Sequence, residues 1–259
     1  MARDGEEAGS LSTAAAEMFG AALPSAQKYA AMLTGPGVER GVVGPAEADR
    51  IWDRHLLNCG AVARLIPGRS SVIDLGSGAG LPGIVLAMLL PGAKITLLEP
   101  LARRVDFLAE CVSVLGLTNV RVVRGRAEEH EGHLVADVVT SRAVAPLDKL
   151  AGLSLALARP GGKVLAIKGS SAEAELIKAR PVLARIGVSD ARVVQVGSGA
   201  DGATATVVTF TAPEHRNSAG GAGRSSARVE MRPPGRPSGR SAGPTGRRTS
   251  RPNSRRGGG

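Results

Sequence analysis

Residues 72–83 read Val-Ile-Asp-Leu-Gly-Ser-Gly-Ala-Gly-Leu-Pro-Gly, an apolar run that breaks into glycine at every second position. The run predicts a strand, the glycines a turn, and Pro82 the first turn of a helix, where its fixed φ is already suitable. Glycine is needed where backbone must lie against a ligand, because a Cβ would collide with it. In an open sheet with helices on both faces, that ligand sits at the carboxyl edge, beside the first strand. The segment therefore demands a strand–loop–helix unit within a mostly parallel sheet.

The rest of the chain agrees. β-rich runs at 71–75, 94–99, 120–123, 135–140, 162–168, 192–196 and 203–211 alternate with helical segments at about 82–90, 101–116, 146–158 and 172–186. Such alternation predicts an α/β fold with a seven-stranded, mostly parallel sheet. The last two strands leave no room for a helix and predict an antiparallel hairpin across 197–202. Ahead of the sheet, one helical stretch is expected over 11–33. A second runs over about 45–66, opened by Pro45 and closed by Pro67-Gly68. Its residues Ile51, Trp52, His55, Leu56, Leu57, Cys59, Val62 and Leu65 recur at helical spacing. The expected organisation is a flexible N-terminus (1–10), a helical N-terminal region (11–67), an α/β core (68–212) and a disordered basic tail (213–259).

Charge is unevenly placed. Of the net charge of +10, residues 214–259 carry +9, from eleven arginines and two glutamates. The folded part is close to neutral, and the tail has too little to bury to offset its ordering entropy. Aromatic residues are only 2% of the chain, too few to stack a row of bases. No apolar run approaches the roughly 18 residues a membrane span needs, and the first ten residues do not form a signal peptide. A cytoplasmic monomer with no membrane association is the expectation. Cys59 and Cys111 lie in apolar helical stretches and read as buried thiols in a reducing compartment. With His55, His130, His133 and His215 they give no zinc spacing, so no metal is expected, and His130 and His133 read as exposed loop residues.

Two cofactors compete for the glycine loop. Gly78-x-Gly80-x-x-Gly83 matches a dinucleotide fingerprint, with Glu99 at a suitable distance. Asp74 tips the choice, because it creates Asp-x-Gly-x-Gly-x-Gly, the first motif of class I methyltransferases. S-adenosylmethionine has a cationic sulfonium and an amino-acid end, which an acid at the strand tip suits, directly or through water. A dinucleotide loop prefers apolar residues there, because its anionic pyrophosphate rests on the helix N-terminus. A Rossmann-like class I methyltransferase is the fold this implies. Asp74, Gly76, Gly78 and Gly80 are candidate cofactor contacts, and Glu99 can accept both ribose hydroxyls. Ala127 and Glu128, just after the third strand, are candidates for the adenine pocket. An NAD-dependent dehydrogenase remains an alternative, as does a methyltransferase acting on another RNA or on a small molecule.

The fourth strand ends Thr140-Ser141-Arg142-Ala143, with neither Asn-Pro-Pro-Tyr nor Pro-Cys after it, which disfavours amine methylation and attack through cytosine C5. In-line methyl transfer needs a positioned lone pair. Guanine N7 has one in plane and carries no proton, so its methylation needs no general base. Arg142 and Lys168 are the candidate catalytic pair at the open edge of the sheet, since a guanidinium fork can bond O6 and the N7 side of guanine. Arg50, Arg54 and His55, with Lys168, are candidates for RNA contact, and the tail for a salt-sensitive RNA arm.

These residues resemble one family. Arg54-His55-Leu56-Leu57-Asn58, Asp74 through Gly83 with its Gly-Leu-Pro-Gly ending, Glu99-x4-Arg104-x2-Phe107-Leu108, Ser141-Arg142-Ala143 and Ile167-Lys168-Gly169 are similar to bacterial 16S rRNA guanine-N7 methyltransferases of the G type, also called glucose-inhibited division protein B. The resemblance spans about residues 15–212 in motif order and spacing. It implies methylation of N7 of the guanine at position 527 of 16S rRNA, with free RNA or the small ribosomal subunit as partner. It also implies that Gly76, Leu81, Ala127, Glu128 and Arg142 contact the cofactor. The arginine-rich extension departs from the family pattern.

Overall fold

The computed structural model describes residues 13–197 and 204–214. The flexible N-terminus expected over 1–10, the hairpin turn and the basic tail beyond Glu214 lie outside the described residues. Seven strands form one sheet: β1 (Ser71–Leu75), β2 (Lys94–Glu99), β3 (Val120–Arg124), β4 (Ala136–Arg142), β5 (Ala158–Lys168), β6 (Arg192–Val196) and β7 (Ala205–Thr211). Their order is β3-β2-β1-β4-β5-β7-β6. The first five are parallel neighbours, and β7 runs antiparallel between β5 and β6. The chain therefore reverses direction in the sheet between β1 and β4, which opens a crevice beyond their carboxyl ends.

Strand side chains alternate between two cores, as a period of two requires. Val72, Val138, Leu165, Ile167 and Val207 face one core, while Ile73, Leu75, Val139, Val164 and Phe210 face the other. The first core is covered by α2 (Gly83–Leu89) and α3 (Ala102–Leu115), the second by α4 (Leu147–Leu157) and α5 (Ala172–Arg185). The N-terminal helices belong to the first core. Residues 13–19 are helical, a 3-10 turn spans Gly20–Ala22, and α1 (Leu23–Thr34) follows. Phe19, Tyr29, Leu33, Leu56 and Leu57 are buried there beside Ile84 and Phe107.

The stretch expected as one amphipathic helix over 45–66 is instead a mixture. It passes through 3-10 (Pro45–Arg50), π (Ile51–Leu57), α (Asn58–Ala61) and 3-10 (Val62–Leu65) turns. Consecutive residues 55–57 and 59–62 are all buried. Residues 55–62 are wedged between α1 and α2 while much of 45–54 stays exposed, and the wider π turn is one way to point neighbouring side chains inward on several sides. Strand β5 also begins earlier than expected, at Ala158, because Arg159-Pro160-Gly161-Gly162 forms an irregularity in the β4–β5 pairing and not a boundary. Both cysteines are free and buried. His133 is exposed, whereas His130 is half-buried, drawn in by the short helical turn Ala127–His130. Among the described residues no helix is long and apolar enough to cross a membrane.

Candidate active site

The loop from β1 to α2 is fixed by three side chains from three different elements. Asp74, at the tip of β1, is fully buried, and its Oδ2 accepts the Gly83 N–H at 3.0 Å, anchoring the start of α2. Its Oδ1 is buried without a partner. Burial pushes the carboxyl up to about 7, with the Gly83 bond pulling the other way. Glu99, at the tip of β2, accepts the Gly78 N–H at 2.9 Å and the Leu101 N–H at 3.1 Å. Each of its oxygens keeps a second lone pair for a ligand hydroxyl. Tyr29, from α1, donates its phenol proton to the Ala79 carbonyl at 2.7 Å.

The glycines differ in what they serve. A Cβ on Gly80, where φ is +97°, would strike Ile84 and the Tyr29 hydroxyl, so that glycine lets α1 close on the loop. A Cβ on Gly78 would meet nothing nearer than the Gly76 carbonyl at 3.9 Å, so its bare face looks onto open space. Gly83 is a packing glycine, since a Cβ there would overlap Leu97 and Asp74.

A cavity of about 350 Å³ opens beside this loop, lined by Gly76, Leu98, Glu99, Leu101, Ala127, Glu128, Ala143 and Val144, with Arg104 at its edge. It unites Gly76, Glu99, Ala127 and Glu128 among the cofactor candidates. Leu81 is buried in the first core, and Asp74 lies beneath the loop rather than in the cavity wall.

A larger cleft of about 910 Å³ adjoins it, lined by Arg50, Asp53, Arg54, Asn58, Arg142, Lys168, Glu175 and Thr204. Ala143 and Val144 line both spaces and form the partition between them. Ala143 has a φ of +54°, a left-handed conformation that costs a non-glycine residue about 1–2 kcal/mol. Such strain persists where the surroundings dictate it, often at a site. Lys168 donates to the Ala145 carbonyl at 2.9 Å and to Glu175 at 2.8 Å, which pins the 143–146 loop. Burial pushes the Glu175 carboxyl up, but its bonds from Lys168 and Ser171 outweigh this and hold it low.

Arg142 leaves the end of β4 and donates to His55 Nδ1 at 2.6 Å. A guanidinium has no acceptor, so Nδ1 must accept and the neutral ring carries its proton on Nε2. That proton goes to Glu47 at 2.7 Å. Burial, and then the Arg142 charge, hold His55 below its ordinary value, with the Glu47 bond opposing. The structure thus sets His55 behind Arg142 with both nitrogens in use, while Arg54 and Arg50 stay on the cleft wall.

Tyr29, Glu47, Val144 and Glu175 were absent from the expected site. The lone tyrosine was the one available signal, because a buried phenol nearly always finds a partner.

A glycine-cradled β1–α2 loop, an acid at the tip of β2 and an antiparallel β7 inserted before β6 together define a class I methyltransferase, and a dehydrogenase is set aside. Residues 22–202 match the family described as GidB, rRNA small subunit methyltransferase G. A ribosomal RNA small subunit methyltransferase G of Thermobifida fusca (strain YX) is 58% identical over 200 residues, covering 77% of this chain and 84% of that protein. Its counterpart from Mycolicibacterium gilvum (strain PYR-GCK) is 51% identical over 213 residues, covering 80% and 93%. One from Streptomyces avermitilis is 50% identical over 195 residues, covering 75% and 82%. The chain belongs to the rRNA small subunit methyltransferase G family.

Proposed function

We propose that this methyltransferase transfers a methyl group to N7 of the guanine at position 527 of 16S rRNA, within the cytoplasm and as a monomer. S-adenosylmethionine, when bound, supplies an electrophilic methyl on its sulfonium. The residues present fit that cofactor. Gly78 leaves a bare backbone face and Glu99 keeps lone pairs toward a cavity of adenosine size, while Asp74, with one oxygen unpartnered, lies buried beneath the same loop.

The observation that carries the reading is the two-chamber arrangement: a cavity on the glycine loop whose charges, Glu99 and Glu128 with Arg104 and Arg126, balance, and a cationic cleft across the Ala143–Val144 partition. Arg50, Arg54 and Arg142 give the cleft a potential suited to an RNA backbone and to the acceptor atoms O6 and N7 of guanine. N7 presents an in-plane lone pair and carries no proton, so the transfer needs no general base. His55 and Glu175 are committed to Arg142 and Lys168.

The test is to map methylated nucleotides in 16S rRNA from a bacterial strain lacking its own enzyme, with and without this chain. Appearance of N7-methylguanine at position 527, and its loss with Arg142→Ala, is the expected result. Methylation at another nucleotide, or none by a folded chain, overturns the assignment.

A further inference from the structure

Resting on the methyltransferase reading above, we infer that His55 is a positioning residue: the neutral imidazole, oriented by Glu47, holds the Arg142 guanidinium at the cleft and releases it on protonation. The two links are short, 2.6 Å from Arg142 to Nδ1 and 2.7 Å from Nε2 to Glu47. His55 is 8% exposed, so it is screened from the RNA side, while Arg142 opens onto the cleft. Arg142 alone of the three lines the space where substrate would lie.

The chemistry is one-way. A guanidinium N–H finds an acceptor at Nδ1 only while that nitrogen is bare. A proton there sets N–H against N–H and one cation against another, so the bond is lost. The charged groups facing the ring are Glu47 from the preceding turn, Arg54 from its own segment and Arg142 from β4. Helix α1, packed on the same segment, brings the un-ionised phenol of Tyr29. The Asn58–Ala61 turn brings the thiol of Cys59, pushed up to about 11 by burial. Glu47 accordingly has two effects: it fixes the tautomer and it eases protonation.

Three variants separate this role from mere support, assayed with the full chain on small ribosomal subunits or 16S rRNA from a strain lacking the methylation. In His55→Asn the side-chain oxygen can stand near the Nδ1 position and accept from Arg142, but it cannot titrate. In His55→Gln the amide reaches toward the Nε2 position and leaves Arg142 without its acceptor. Glu47→Gln removes the charge that favours the imidazolium.

The wild-type rate should fall on the acid side, below the ordinary histidine value of 6.5. His55→Asn should lose that acid limb while remaining active at alkaline pH. His55→Gln should be slower at every pH by about a hundredfold, the scale of a misplaced contact. Glu47→Gln, at a more exposed position, should move the limb to lower pH. An acid limb that survives in His55→Asn would assign it to another group, Asp74 being the obvious one, and would overturn the inference. So would equal losses in the Asn and Gln variants at alkaline pH, with melting temperatures unchanged. If wild type itself methylates nothing, the functional reading fails instead, which keeps the two failures distinct.

Discussion

Asp74 carries a carboxylate into the interior and leaves half of it unmet: one oxygen takes the Gly83 N–H, the other takes nothing. Its pKa, pushed by burial from 3.8 to about 7, has a definite consequence for stability. Between those values the folded chain keeps a proton that the unfolded chain has lost, so ligand-free stability declines as pH rises through the interval. Asp74→Asn removes that dependence. Its melting temperature relative to wild type should climb from about pH 4 to about pH 7, the window set by the two states of the carboxyl. Calorimetry should show weakened S-adenosylmethionine binding, because Asp74 anchors through the Gly83 N–H the loop on which the cofactor would lie. A difference in melting temperature that does not change with pH would refute the titration. The sequence announced an acid at this position because a strand running into spaced glycines is a local pattern. It did not announce the acid's depth, which neighbours such as Leu97 and Gly83 decide. Ala143 was less legible still: nothing in Arg-Ala-Val-Ala calls for a left-handed residue, and the strain is imposed by the surrounding structure.

At the scale of elements, two polar side chains hold α2 and its loop from opposite ends. Asn119, just before β3, donates to the carbonyls of Ala87, Leu90 and Ala93, at the C-terminal end of α2 and just beyond it. Tyr29 reaches from α1 to the Ala79 carbonyl in the loop before α2. Asn119→Ala leaves three part-buried carbonyls and Tyr29→Phe one short of a donor, worth about 1–3 kcal/mol, and each should lower Tm by roughly 2–12 °C. They should diverge in binding. Only the Tyr29 change sits at the glycine loop, so only it should weaken cofactor affinity in a titration; parallel losses in both variants would argue against a local effect. Strand and helix order was readable because apolar periodicity and Gly/Pro punctuation are strong in this chain. The π turn at Ile51–Leu57 was not, since spacing marks which residues are buried but not how wide a turn carries them.

Over the whole molecule, the N-terminal helices are one layer of the sheet's first core and not an appendage to it. The charge is apportioned differently, with +9 of the +10 after residue 213. A chain ending at Glu214 should keep its melting temperature and its cofactor affinity. Its RNA binding should depend less steeply on salt, because fewer counterions are released. An unchanged slope of log affinity against log salt would remove any role for the extension in binding. That division was legible from composition alone, while the two-chamber site was not, because its walls come from residues far apart in sequence. Ala143 and Val144 belong to both chambers. An occupant of one side that shifted so thin a septum would alter the contour the other side offers. The affinities for cofactor and nucleic acid are then thermodynamically linked, each raising or lowering the other by the same factor. Spent cofactor and modified RNA would leave as dependent events rather than separate ones.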